Sequence, residues 1–281
     1  MTDDYALIDS GDGRKFERFG RVSLVRPCSQ AMWRPSKPQE WRFATAQFDR
    51  DEGNRWHGRD ALPESWTIET AGIRFKLSGT DFGHLGIFPE QRKQWEWIRA
   101  KLESAPPGSK VLNLFAYSGG STIAAAQGGT EVCHLDAAKG MVQWARENAA
   151  LNGLSAHPIR WIVDDAHKFM RREIRRERRY DAVILDPPTF GRGANGEMYK
   201  IERDLKETLM LVKEVLSENP IFVLFSSHTP GLSCVAIKNI LGQAFPGTEV
   251  ETGEMLLEGE SGAMPCPSGV YGRAIFNFPT S

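Results

Sequence analysis

Residues 110–127 run KVLNLFAYSGGSTIAAAQ, and their reading decides the fold. The first six are a short apolar run of the kind that sits buried on both faces of a sheet. A Gly-rich turn follows, then a helix of small residues over 121–127. Strand, tight turn and helix in that order open a βαβ unit. Outward from there the alternation continues. Strands are predicted over 131–135 (ending on Asp136), 159–163, 181–185 and 221–226, with helices over 139–152, 166–179 and 200–216. A helix over 89–102, with Trp95, Ile98 and Leu102 on one stripe, precedes the first strand. Continuous apolar strands between helices predict an α/β domain, a doubly wound and mostly parallel sheet covered on both faces.

Residues 1–79 read differently. Short β-like pieces at 19–25, 41–48, 66–69 and 73–77 alternate with Gly, Pro, Asp and Asn, which predicts a small β-rich domain with the second domain over 80–281. Trp33, Trp41, Trp56 and Trp66 all fall in the first segment. They serve either as core or as stacking surfaces for exposed bases, and the small-domain context favours core.

Bulk properties exclude several classes. The chain has 281 residues, 41% of them hydrophobic and 25% charged, which are ordinary globular values and leave out collagen, coiled coil and disorder. No apolar run reaches the roughly 18 residues of a membrane span. The acidic start MTDDYALIDS lacks the apolar core of a secretory signal, so a cytoplasmic location is expected. Cys28, Cys133, Cys234 and Cys266 are scattered without metal-ligand spacing, so neither a metal site nor a disulfide framework is expected. With 35 Lys+Arg against 36 Asp+Glu, net charge gives no case for a polyanionic partner.

In a doubly wound sheet, ligands bind at the carboxyl ends of the strands. The turn after the first strand holds Phe115, Ala116, Tyr117, Ser118, Gly119 and Gly120. Its late glycines let backbone approach a ligand, and the following helix N-terminus favours an anion. The full G-x-G-x-x-G set is absent, which speaks against a dinucleotide. Asp136, after the second strand, suits a pair of ribose hydroxyls, or serves as an ordinary cap. Of Asp164 and Asp165, the latter is assigned to an adenine amine and the former to capping.

The fourth strand exits through Asp186-Pro187-Pro188-Thr189-Phe190. Two prolines hold the backbone extended and remove two donors, so the turn offers carbonyls, one carboxylate and an aromatic ring. That set suits an amine or ring nitrogen of a planar base, with Phe190 as stacking platform, although Asp-Pro-Pro also makes plain turns. The Gly-rich stretch 191–197 is a candidate lid. Arg171, Arg172, Arg175, Arg176, Arg178 and Arg179 form a basic helix that either contacts phosphates or is a solvated, internally paired face.

Taken together, VLNLFAYSG (111–119), Asp136, ARENAALNG (145–153), DPPTF (186–190) and GIFPEQR (86–92) resemble the class I S-adenosylmethionine (SAM)-dependent methyltransferases. Within them they resemble a branch that methylates ribosomal RNA. The likeness spans about residues 83–227 and leaves out residues 1–79, where members of the branch often carry an RNA-binding domain. The resemblance implies that residues 117–120 wrap the methionine end of SAM, Asp136 holds the ribose and Asp165 touches the adenine. It also implies that Gln91, with Arg92, closes over the cofactor, and that Asp186 and the Pro187 carbonyl border the methyl group and its target. Members that methylate cytosine carbon 5 need a cysteine nucleophile after the fifth strand. Here that turn is Phe225-Ser226-Ser227-His228, with Cys234 further on, so transfer to a ring nitrogen of a nucleobase is expected. His228 is a further candidate base. The expected partner is ribosomal RNA and the expected product S-adenosylhomocysteine. A small-molecule methyltransferase and an RNA assembly factor that binds SAM without turnover remain the rival readings.

Overall fold

A computed structural model describes residues 3–50, 53–192, 196, 198–260 and 262–276. It divides into two units, Met1–Lys93 with Met255–Ser268, and Gln94–Glu254 with Gly269–Ser281. The expected boundary at residue 79 falls inside the first unit, for a local reason. Residues beyond 79 turn back on the β-rich core, where Thr80 Oγ1 donates to the His84 carbonyl at 3.0 Å and Leu85 is fully buried. The distant segment joins the same unit through a bridge of Gly259 to Leu7 and a 2.8 Å hydrogen bond from Ser10 Oγ to the Met264 carbonyl.

In the first unit β1 (Tyr5–Gly11), β2 (Arg14–Phe19), β3 (Val22–Pro27), β4 (Ala46–Asp49) and β5 (Arg55–His57) form one sheet in chain order. β6 (Trp66–Thr70) and β7 (Ile73–Leu77) form a hairpin. Two expectations are corrected. The single strand expected over 19–25 is cut by a turn in which Gly20 has φ +63, a left-handed conformation that glycine adopts without strain. The strand expected over 41–48 begins only at Ala46, because Trp41 sits in a 3-10 helix, Pro38–Phe43. Buried Asp9 anchors that stretch, accepting hydrogen bonds from the backbone N–H of Ser36 and Lys37 and from Trp41 Nε1 at 2.8 to 3.0 Å. Every one of the four tryptophans donates its indole N–H inward, to Ser10, Asp9, Thr80 or Phe19. They are structural, not free stacking surfaces.

The second unit carries α1 (Arg92–Glu103, from Gln94 onward), β8 (Lys110–Leu114), α2 (Gly120–Gln127), β9 (Glu131–Asp136), α3 (Lys139–Leu151) and β10 (Ile159–Val163). It continues through α4 (Ala166–Arg175), β11 (Ala182–Leu185), the short pair β12 (Phe190–Arg192) and β13 (Met198–Lys200), and α5 (Ile201–Val215). β14 (Phe222–Ser227), α6 (Cys234–Ala244), β15 (Glu249–Leu257, up to Glu254) and β16 (Cys266–Ile275, from Gly269) complete it. The sheet order is β10-β9-β8-β11-β14-β16-β15, with parallel pairing from β10 to β14 and β16 antiparallel to β14. This is the predicted doubly wound α/β architecture.

Burial follows sheet position. β11 and β14 are buried along their whole length, whereas the edge strand β10 has no fully buried residue. α4, α5 and α6 pack around Phe169, Met170, Leu209, Val212 and Leu241 on one face. On the other, α2 lies against Trp95 and Leu102 of α1. α4 ends at Arg175, short of the expected 179, because Glu177 takes φ +54 and the Arg178 N–H turns back to the Glu173 carbonyl. That return bond closes the helix.

Candidate functional site

Strand order reverses between β8 and β11. From β8 the chain winds one way to β9 and β10, while β11 and β14 extend the other way. The crevice at the carboxyl ends of β8 and β11 is therefore the expected ligand site. The predicted residues from the Gly turn, Asp136 and the Asp-Pro-Pro turn all lie at that edge.

The turn after β8 is held in an uncommon backbone conformation. Phe115 and Tyr117 have φ +55 and +50, and Gly119 has φ +91. Non-glycine residues enter this region at a cost, and such outliers concentrate at ligand sites. The Ala116 N–H bonds to the Leu135 carbonyl at 3.0 Å and the Tyr117 N–H to Asp136 Oδ2 at 2.9 Å. Asn148, fully buried on α3, donates to the Ser118 carbonyl at 2.9 Å. A Cβ on Gly120 would lie 2.7 Å from the Trp95 ring, and one on Gly119 3.0 Å from Ala145 Cβ. The start of α2 thus packs where only glycine fits, leaving the turn's amides at the strand end.

Asp136 ends β9 with its other oxygen accepting the Ala138 N–H at 2.9 Å. Burial raises its pKa, against the lowering effect of the N–H groups of Ala138, Tyr117 and Ala137. A carboxylate offers about four acceptor positions, so acceptor capacity remains beyond these N–H groups. Behind this edge, Asn113 Nδ2 donates to Thr122 Oγ1 at 2.9 Å, and Thr122 meets His134 Nδ1 at 2.8 Å. This buried chain ties β8, α2 and β9 together, and sequence reasoning missed it. Its signal was polar residues within otherwise apolar runs.

Of the two aspartates after β10, it is Asp165 and not Asp164 that caps the helix. Asp165 caps α4, its Oδ1 accepting the Lys168 N–H at 2.9 Å, while Asp164 pairs with Arg172 and accepts the Asp165 N–H. Capping by Asp165 corrects the assignment of that task to Asp164.

On the β11 side, half-buried Asp186 places Oδ1 3.6 Å from Nδ1 of the exposed His228. Pro187 and Pro188 follow, and Thr189 Oγ1 lies 2.8 Å from Thr229 Oγ1, linking the exits of β11 and β14. Phe190 is 53% exposed at the start of β12. Ser226 and Ser227 are buried at the end of β14, and Cys234 is the first residue of α6, whose cap is Ser233. The candidate lid 191–197 is described only in part: Gly191 and Arg192 belong to β12, and residues 193–195 and 197 lie outside the described residues.

Gln91 belongs to the first unit, buried in the 3-10 helix Pro89–Gln91. Arg92 is committed within that unit, donating to Asp3 at 2.8 Å with its guanidinium 4.8 Å from the Tyr5 ring centre. The basic helix is largely paired. Arg171 bonds Glu207, Arg172 bonds Asp164, and Arg160, Arg176 and Arg178 converge on fully buried Glu173, which also accepts the Tyr180 hydroxyl at 2.6 Å. Burial raises the Glu173 pKa, but the hydrogen bonds from Arg160 and Tyr180 outweigh it and leave it lowered. Paired, solvated arginines are the better description of this helix.

Among the described residues no cluster of His, Cys, Asp and Glu is fit to hold a metal ion, and no helix is long and apolar enough to cross a membrane. The donor set fits a nucleoside carrying a charged amino-acid tail. A carboxylate at the end of the second strand is of the kind that accepts ribose hydroxyls, and a helix N-terminus is of the kind that holds an anionic tail.

Comparison with known proteins agrees. A family model for S-adenosylmethionine-dependent methyltransferases matches residues 21–224, reaching into the segment that the motif reading had left out. The chain is similar to the crystal structure of a SAM-dependent methyltransferase from Agrobacterium tumefaciens, with 37% identity and a TM-score of 0.92 over 98% of this chain and 91% of that one. A putative methyltransferase crystallised with S-adenosylhomocysteine, SMU.776, shares the fold at 20% identity, with a TM-score of 0.74 over 97% of this chain and 76% of its own. Ribosomal RNA large subunit methyltransferase K/L of Shewanella frigidimarina is 32% identical over 63% of this chain, and that of Shewanella pealeana 30% over 75%. The chain spans only 25% and 29% of the length of those two proteins. A strand-order switch framed by a glycine turn, a ribose-competent Asp136 and an Asp-Pro-Pro exit thus coincides with a family match over most of the sequence, and the chain belongs to the S-adenosylmethionine-dependent methyltransferases.

Proposed function

We propose that this chain transfers the methyl group of SAM to a nucleobase of ribosomal RNA, at a ring nitrogen rather than at cytosine carbon 5. The observation that carries the reading is the Asp186-Pro187-Pro188-Thr189-Phe190 exit at the switch point, an acceptor-rich turn with an exposed aromatic ring. The relatives named ribosomal RNA large subunit methyltransferases supply the substrate class. Bound SAM supplies a sulfonium-activated methyl and leaves as S-adenosylhomocysteine. In this reading Tyr117, Ser118, Gly119 and Gly120 hold its amino-acid end, with Phe115 and Ala116 shaping the turn. Asp136 holds the ribose, and Asp165 lies beside the adenine. Asp186 and the Pro187 carbonyl orient the target nitrogen in line with the methyl carbon and stabilise the positive charge that the nitrogen gains. Phe190 stacks on the target base.

Attack on cytosine carbon 5 would need a thiolate at the β14 exit. That position holds Ser226, Ser227 and His228, while Cys234 already belongs to α6. The carboxylate of Asp186 beside His228 gives instead a group able to hold a proton or a cationic base. A base in a duplex must first be flipped out.

The test is methyl-tritiated SAM with protein-free ribosomal RNA from a strain lacking the gene, beside Asp186→Ala. Label in RNA with the unmutated protein only is expected, and nucleoside digestion then names the atom. SAM binding without label would favour a small-molecule substrate or an assembly role.

A further inference from the structure

β12 and β13 form a two-stranded antiparallel ribbon directly after the Asp-Pro-Pro turn. Its register pairs Phe190 with Lys200, Gly191 with Tyr199 and Arg192 with Met198. Directly opposed residues share a face, and neighbours along a strand alternate. One face therefore carries Gly191 and Tyr199, and the other carries Phe190, Arg192, Met198 and Lys200.

The first face is packed down. The Tyr199 ring lies 5.2 Å from that of Phe115 in the glycine turn and 5.9 Å from His167, and its hydroxyl is 3.2 Å from Thr208 Oγ1. Gly191 sits so close to Pro188 that a Cβ there would come within 2.9 Å of the proline ring. The ribbon's start is pinned as well, since the Thr189 carbonyl accepts the Ile201 N–H at 3.1 Å. The second face is open. Phe190 is 53% and Met198 44% exposed, and Arg192 and Lys200 are exposed beside them. Lys200 has one exposed ion-pair partner, Glu202 at 3.7 Å, a contact of little strength.

Two apolar side chains interleaved with two cations on a surface held next to the transfer site complement one ligand chemistry, a planar base with its phosphate. We infer that this outward face is a landing surface for one nucleotide of single-stranded RNA, its base against Phe190 and Met198 and its phosphate on Arg192, with Lys200 supporting. Stacking tolerates any base, and the cations read only the backbone. The ribbon would thus fix where the strand lies without choosing the target. Because Tyr199 rests on Phe115, the same ribbon ties the RNA surface to the cofactor turn. This inference rests on the nucleobase reading above.

Two arms test it. In the first, Arg192→Gln, Arg192→Lys and Met198→Ser are assayed for methyl transfer to protein-free ribosomal RNA from 50 to 200 mM salt. Arg192→Gln should raise the RNA KM about 3- to 10-fold and flatten its log–log salt slope by about 0.7, the share of one phosphate contact on a single strand. Arg192→Lys should restore the slope, Met198→Ser should raise the RNA KM, and the SAM Kd should stay unchanged in all three. Wild-type RNA KM and slope in both Arg192→Gln and Met198→Ser would overturn the inference. In the second arm, a 12-nucleotide single-stranded RNA carrying 2-aminopurine is titrated with protein holding S-adenosylhomocysteine. Fluorescence quenching by the wild type that is weakened in Met198→Ser upholds the surface, and equal quenching, or none, overturns it. If the wild type labels no RNA, the nucleobase reading fails and the second arm alone decides the surface.

Discussion

In the proposed site Asp136 is the residue on which cofactor affinity would turn, because its two oxygens hold the glycine turn and the start of the next loop at the strand end assigned to the ribose. Asp136→Ala should weaken SAM binding by about 1–3 kcal/mol, the range for a lost hydrogen bond to a charged group. Calorimetry checks this, and unchanged affinity would remove Asp136 from the ribose. Gly120 tests packing rather than chemistry. Gly120→Ala sets a methyl 2.7 Å from atoms of the buried Trp95 indole, and overpacking of this kind costs about 1–3 kcal/mol. Its Tm should fall, and adding Trp95→Phe, which deletes the contacted indole atoms, should recover part of the loss. His134 supplies a pH dependence. Burial pushes its pKa down to about 3, against about 6.5 in the unfolded chain. Between those values the unfolded chain holds a proton that the folded chain rejects, so stability falls as pH falls, by up to about 1.4 kcal/mol per unit. Urea unfolding from pH 7 to 4.5 should show His134→Gln with a shallower slope, by about one proton.

At the scale of elements, one buried carboxylate ties α4 to its neighbours. Glu173 gathers Arg160 from β10, Arg178 beyond the helix end and Tyr180 before β11, all onto oxygens sealed from water. Glu173→Ala should cost about 1–3 kcal/mol by leaving the buried Tyr180 O–H without its acceptor, and urea denaturation measures it. Partly exposed arginines contribute less. The sequence shows six arginines and two glutamates here, but not that one glutamate points inward. The same limit explains which elements were legible. β8, β9, β11 and β14 announce themselves because a central parallel strand must be apolar throughout. The last two strands did not: β15 reads EVETGEMLL and β16 carries two glycines, as edge and antiparallel strands can. Nor did β12 and β13, only three residues each and bracketed by glycine, which turn chemistry alone cannot distinguish from loop. The site fared better than the elements around it. Strand-end residues are set by topology once the strands are known, so Asp136 and Asp186 could be placed from spacing. Which of Asp164 and Asp165 caps α4 could not, because either satisfies a capping position by type.

For the whole molecule, charge balance sets how RNA would be held. Positive and negative side chains are nearly equal in number, 35 against 36, and the densest run of arginines is largely spent on internal pairs. A chain of this kind has little diffuse attraction for a polyanion, so its affinity must come from a few placed contacts and from stacking. Each phosphate neutralised on a single strand contributes about −0.7 to the slope of log affinity against log salt. With Arg192 and Lys200 as the phosphate contacts, the wild-type slope should lie near −1 to −2. Fluorescence anisotropy of a labelled 12-nucleotide RNA between 50 and 200 mM salt measures it directly. A slope steeper than about −4 would mean that a broad basic surface, rather than the ribbon, dominates binding. The shallow slope has a consequence for selectivity. An enzyme that gains little from bulk electrostatics loses little when salt rises, and discriminates by whether an unstacked base can reach Phe190. Structured duplex RNA of equal charge should therefore compete poorly with a single strand in the same titration. Equal competition would shift recognition from the exposed base to the backbone.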